Sequence, residues 1–150
     1  MQRTRRNLLK NAATAAAGAT LLASELPAQM QAPQKRAASG KPGPFPFTPV
    51  VGLGNLLFVS GIGCRVKGTI EEETKWVLDE LEKNLTAAGS SLSKVLKMEV
   101  YLEDIKDFDR MNAVYKTRNW GPIFPARNTT QPAALPTGDY GIVVDCIAST

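Results

Sequence analysis

The stretch GPIFPARNTTQPAALP, residues 121–136, carries a single charge, Arg127. No acidic residue lies near it in sequence, and Asn128, Thr129 and Thr130 follow it. A guanidinium in such a setting either stacks at an interface or waits for an anion that its planar fork can grip. A second candidate is Asp145, an acid set inside the apolar run IVVDCIA. On a strand it shares a face with Val143 and Ile147, while Val144 and Cys146 point the other way. A carboxylate among apolar neighbours tends toward a raised pKa, which suits proton transfer near neutral pH. An inert, hydrogen-bonded aspartate at a sheet rim fits the same spacing, and both readings stay open at this point.

Absences narrow the chemistry further. The chain contains no histidine, which excludes Ser-His-Asp and Cys-His catalysis and any histidine metal site. Cys64 and Cys146 are its two cysteines, too few for a four-ligand zinc site. They could pair in an oxidising compartment, but separate small hydrophobes are the simpler reading. Arg65 and Lys67 are weak support for Cys64 as a nucleophile. GLGNLL and GIGCRV are glycine-rich yet match neither a dinucleotide fingerprint nor a phosphate loop. Nothing implies a metal or a cofactor.

The N-terminal stretch alters the charge argument. Arg3, Arg5, Arg6 and Lys10 precede a weakly apolar, alanine-rich run from Ala12 to Ala23, and the first acid is Glu25. This reads as a secretion signal over residues 1–32, with TRRNLLK resembling the twin-arginine export motif. It implies passage through the twin-arginine translocase and a periplasmic or otherwise exported protein. Ala28 and Ala32 are both candidate last residues of the signal. The apolar run is shorter than the roughly 20 residues of a spanning helix, so no stable membrane anchor is expected. The whole chain is +4, but from Gly43 onward there are 11 Lys+Arg against 13 Asp+Glu. The basic balance therefore belongs to the N-terminus, and no basic stripe interleaved with aromatics marks a nucleic-acid partner.

A Pro/Gly/Lys linker at 33–44 leaves one domain over 45–150. FTPVVGLGNLLFVSGIG predicts two strands broken at Leu53-Gly54-Asn55, with Gly54 and Asn55 suited to positive φ. Thr69 and Glu72 form a capping box. Val77, Leu78, Leu81, Leu85 and Ala88 recur at helical steps, and Gly89 is a stop. LKMEVYL alternates, placing Leu96, Met98, Val100 and Leu102 on one face and Lys97, Glu99 and Tyr101 on the other. A second helix opens at Asp104 or Asp107, packs through Phe108, Met111, Val114 and Tyr115, and ends at Gly121-Pro122. ARNTTQPAAL and YGIVVDCIA are the last strands, the first pushed to an edge or bulge by Pro132. The order ββαβαββ predicts an α+β domain, a mixed sheet with both helices on one face.

Taken together, GNLLFVSG, GTIEEETKWVLDELEKNLTAAGSSLSKVLKMEVYLEDIKDFDRMNAVY, PARNTTQPAALP and VVDCIA resemble the RidA (YjgF-like) family from about Pro49 to Ala148. The resemblance implies a chorismate-mutase-like fold assembled as a homotrimer, with clefts between subunits. It implies hydrolysis of reactive 2-imino acids and enamines to 2-oxo acids and ammonia. It gives Arg127 the role of holding the substrate carboxylate. Asp145, where many members have glutamate, would activate or deliver water. Ser60 and Gly61 match the cleft-lining V-S-G, and Asn112 the asparagine before the second helix's VY. Thr129 falls where many members carry a small ligand-contacting residue. Phe47 lies near the position of a cleft tyrosine, without its hydroxyl. Two other functions stay open: a non-catalytic trimeric binder of small carboxylates, and the endoribonuclease or translation-inhibitor activity of older family names.

Overall fold

The computed structural model describes residues 32–39, 46–136, 138 and 140–150. Residues 1–31, which contain the twin-arginine stretch, lie outside the described residues. The elements are β1 (Lys35–Ser39), β2 (Val50–Leu53), β3 (Leu56–Cys64), α1 (Ile70–Ala87), β4 (Val95–Leu102), α2 (Phe108–Tyr115), β5 (Ala126–Thr130) and β6 (Tyr140–Ser149). Single 3-10 turns at Leu92–Lys94 and Ile105–Asp107 lead into β4 and α2. The strands form one six-stranded sheet in the order β1-β2-β3-β6-β4-β5. Only β4 and β5 run parallel among these neighbours, because the crossover between them contains α2. The mixed sheet with two helices is as expected.

One strand was not expected. Lys35–Ser39 sits in the stretch read as a linker, yet it pairs antiparallel with β2 at the sheet edge. KRAAS has no apolar alternation, and its charges suit an edge that faces solvent. Arg36 reaches over β2 and donates from Nη1 to the Gly54 carbonyl at 3.1 Å. A Cβ on Gly52 would collide with that guanidinium.

Local signals explain the other elements. In the β2–β3 turn Gly54 has φ 58°, but no non-glycine described residue has positive φ. Asn55 therefore departs from expectation, and the φ signs are those of a type II′ turn, which needs glycine only at its first central position. The Thr69–Glu72 capping box is formed on both sides, the Thr69 N–H donating to Glu72 Oε2 at 2.9 Å. At the other end of α1, the Ser90 N–H reaches the Leu85 carbonyl and the Gly89 N–H the Thr86 carbonyl. These two bonds, with Gly89 at φ 80°, are a Schellman stop.

Between sheet and helices lies the core. Val77, Leu78, Leu81 and Leu85 of α1 are buried against β3 and β6, and Met111 and Tyr115 are the buried residues of α2. The register of β4 shifts between Val95 and Lys97. That irregularity turns Val95 inward and leaves Leu96 exposed, the reverse of strict alternation. Phe108, expected in the core, is 37% exposed at the start of α2. Among the described residues no helix is long and apolar enough to cross a membrane.

Candidate functional site: an arginine cavity and a carboxylate cluster on opposite sheet faces

Strand register decides which candidates can meet. Arg127 of β5 pairs with Met98 of β4, and Met98 with Cys146 of β6. Met98 and Cys146 are buried in the core, so Arg127 lies on the helix-covered face. One residue further, Asn128 pairs with Glu99 and Glu99 with Asp145. Side chains alternate across a sheet, so Asp145 stands on the open face. Within one copy of the chain Arg127 and Asp145 cannot share a site, although the resemblance assigned them to one cleft.

On the helix face, Arg127 is backed by aromatic rings. Its Cζ lies 4.5 Å from the Tyr115 ring centroid and 5.7 Å from that of Phe108. Tyr115 in turn stacks on Trp120 at 4.4 Å, and the buried Trp120 Nε1 donates to the Tyr115 carbonyl at 2.8 Å. Other arginines satisfy themselves differently: Arg110 makes a two-pronged contact with Glu71 at 2.8 and 2.7 Å, and Arg118 pairs with Asp79 at 2.6 Å. Among the described residues Arg127 has no acidic partner. It lines a cavity of about 330 Å³ with Asn112, Tyr115, Lys116, Phe124 and Pro125.

Two hydroxyls beside this arginine are buried with no hydrogen-bond partner among the described residues, Tyr115 Oη and Thr129 Oγ1. Burial pushes the Tyr115 phenol up to about 12, with the positive charge of Arg127 opposing. A buried hydroxyl left unpaired costs roughly 1–3 kcal/mol, so both hydroxyls are open to a further hydrogen-bond partner such as water.

The open face is organised by charge. Lys97 Nζ lies 2.8 Å from Glu99 Oε1, and Asn128 Nδ2 donates to the same oxygen at 3.2 Å. Burial holds the Asp145 carboxyl above the usual carboxylate value. The Tyr101 hydroxyl opposes that rise, the negative charge of Glu99 adds to it, and Lys97 opposes it. Tyr101 is itself raised by burial, with Asp145 and Glu99 adding. In β3 the register jumps from Val59 opposite Cys146 to Ile62 opposite Val144, so Ser60 and Gly61 together face Asp145. This is a bulge, and it re-aims both residues. Ser60 Oγ donates to the Thr48 carbonyl at 2.7 Å. A Cβ on Gly61 would meet only Val143 Cγ1 at 3.5 Å, an ordinary contact.

The candidates thus divide into two halves. Arg127, Asn112 and Thr129 lie on the helix face; Ser60, Gly61 and Asp145 lie together on the open face. Phe47 is 52% exposed. Tyr115, Lys116 and Phe124 were not anticipated as site residues. Tyr115 read as helix core, which it is, and nothing in its spacing announced that its ring would back a guanidinium. Tyr101 was placed on the outer strand face without a role. Cys64 and Cys146 are both buried, and burial pushes the Cys146 thiol up to about 12. Among the described residues no group of three or more His, Cys, Asp or Glu side chains could hold a metal ion.

The chain and its fold match a known family. A family model described as Endoribonuclease L-PSP covers residues 41–150, and the chain belongs to this family, the RidA (YjgF-like) proteins. It is 40% identical over 111 residues to "Protein mmf2, mitochondrial" of Schizosaccharomyces pombe, spanning 69% of this chain and 87% of that protein. It is 37% identical over 110 residues to a mouse protein named 2-iminobutanoate/2-iminopropanoate deaminase, spanning 69% and 80%. Among solved structures, yeast Mmf1 superposes with a TM-score of 0.70 at 26% identity, covering 77% of this chain and 98% of that one.

Proposed function

We propose that the protein is a deaminase of reactive 2-imino acids, working as a homotrimer whose clefts join the helix-face half of one copy to the open-face half of another. The observation that carries this reading is Arg127: ring-backed, at a cavity wall, with no acidic partner among the described residues. Its fork suits a carboxylate, worth roughly 1.5–3 kcal/mol for a hydrogen-bonded charged group. Relatives bearing the deaminase name support the same chemistry. The division of the site supports assembly, since Arg127 and Asp145 can act on one ligand only if they come from different copies. The open face also exposes Phe58 and Leu53, apolar surface that another copy would cover.

In this reading Arg127 holds the carboxylate beside the imine carbon, and Asp145 of a neighbouring copy takes a proton from water as the oxygen adds to that carbon. That proton passes to nitrogen to give a carbinolamine; the hydroxyl proton then follows it to nitrogen, the C=O bond forms as the C–N bond breaks, and ammonia leaves a 2-oxo acid. A carboxyl with a raised pKa suits both proton steps. A second reading, capture of a small carboxylate without turnover, is favoured by the contact of Asp145 with the Tyr101 hydroxyl.

The test is a coupled assay. An amino-acid oxidase generates imines, and their decay is followed with the unaltered protein, Arg127→Lys and Asp145→Asn. Deamination predicts that Arg127→Lys weakens carboxylate binding about tenfold or more while sparing trimer mass. Asp145→Asn should bind yet lose turnover. Imine decay unaffected by the unaltered protein leaves the binder reading in place. A trimer that falls apart in Arg127→Lys makes the arginine a strut and ends both.

Export through the twin-arginine route is a further part of the proposal, resting on Arg5-Arg6 and the apolar run after them. Replacing both arginines with lysine should hold the precursor in the cytoplasm; a double variant still processed outside would end the assignment.

A further inference from the structure

Arg127 is not alone at its cavity. Lys116 lines the same walls, and within one copy no acidic side chain among the described residues does. Neither cation enters an ion pair among the described residues, whereas Lys75, Lys83, Lys97, Arg110 and Arg118 all do. A ligand carboxylate on Arg127 leaves Lys116, on the same cavity wall, as a second cationic contact for a distal carboxylate. Neutral polar groups are also in place: the Asn112 amide on the cavity wall, and the Tyr115 hydroxyl beside Arg127, on a residue only 4% exposed.

We infer that this cavity takes a small dicarboxylate, so that the imine handled is that of an acidic amino acid; this rests on the assignment of Arg127 to a ligand carboxylate. The two cations suit different ends of such a molecule. The rigid fork of Arg127 fixes the carboxylate next to the reacting carbon. Lys116, a point charge on a flexible stem, follows the far carboxylate without demanding one chain length. A cavity of about 330 Å³ is near the lower limit for small-molecule sites, which suits a short acid. Lys116 also caps the C-terminus of α2, where a cation favours the free carbonyls. If that were its whole role, removing it would change stability and not selectivity.

Calorimetric titration of the assembled protein with 2-oxopentanedioate and 2-oxopentanoate separates these roles, because the two acids differ only in a terminal carboxylate or methyl group. The dicarboxylate should bind more tightly by roughly fivefold at low salt, the upper range for a solvent-exposed ion pair. Added salt should erode that preference. Lys116→Gln should bring the affinity ratio to about one, and Lys116→Glu should invert it. Equal affinities in the unaltered protein overturn the inference, as does a preference that survives Lys116→Gln. A lowered melting temperature with an unchanged ratio also overturns it and leaves Lys116 a helix cap. If the monocarboxylate binds without any preference, only this inference falls; if neither acid binds, the reading of Arg127 falls with it.

Discussion

The two faces of the sheet solve the problem of holding charge in different ways. On the helix face Arg127 is supported by rings and faces a cavity, its charge unanswered by any acidic side chain among the described residues. On the open face Asp145, Glu99, Lys97, Tyr101 and Asn128 answer one another within two or three adjacent strands. The helix face is a finished core with one unfinished polar margin. The open face is a partly satisfied polar row bordered by exposed apolar residues. The contrast teaches that each half-site is prepared separately, and that a cleft using both must be made by two copies.

Cutting into the finished core should have the largest effect. Leu81 is fully buried beneath α1, so Leu81→Ala should cost about 2–5 kcal/mol in chemical denaturation. A cost below 1 kcal/mol would mean the helix face is not the stabilising one. The open face should respond through assembly. Phe58 is 40% exposed in the isolated chain, and in the proposed trimer Phe58→Asp would place an unpaired charge against a neighbouring copy. Sedimentation should show dissociation at concentrations at least about tenfold higher than for the unaltered protein, with far-UV circular dichroism retained. An unchanged mass would remove the open face from the interface.

A smaller effect is expected at the start of α1, remote from both half-sites. Thr69→Ala should lower stability by about 1 kcal/mol through loss of the capping hydroxyl, without altering ligand affinity. Smaller still is the pH response of Asp145. Its folded-state pKa lies above the ordinary 3.8, so the folded protein holds its proton more tightly than the unfolded chain does. Stability therefore falls as pH rises from about 3.8 through the raised value, and at neutral pH the charged form is a burden. Asp145→Asn should raise the melting temperature slightly near neutral pH, and the gain should disappear in acid. A gain that persists unchanged in acid would show that charge is not the cause.

Much of the fold was legible in local pattern. The Thr69–Glu72 box, the Val77–Leu85 stripe and the Gly89 stop depend on neighbours three or four residues away, and all formed as read. Elements shaped by distant neighbours were less legible. Lys35–Ser39 becomes a strand because β2 offers it an edge, and Leu96 turns outward because of a register shift against β6. Both effects come from pairing partners that local sequence does not name.

By itself the sequence determined the family, the two candidate residues and the parity of their strands: Arg127 as a cation without a local partner, Asp145 as an acid on the face of Val143 and Ile147. Only the tertiary structure decided that these faces are opposite ones. Parity within a strand is local, since side chains alternate along any pleated backbone. Which parity of β5 matches which parity of β6 depends on the register each makes with β4 lying between them. The ring backing of Arg127 was settled the same way, when the crossover through α2 brought Tyr115 and Phe108 over a strand that begins eleven residues after Tyr115. No interval in the sequence encodes that distance, because it is set by packing between a helix and a sheet rather than by the chain that joins them.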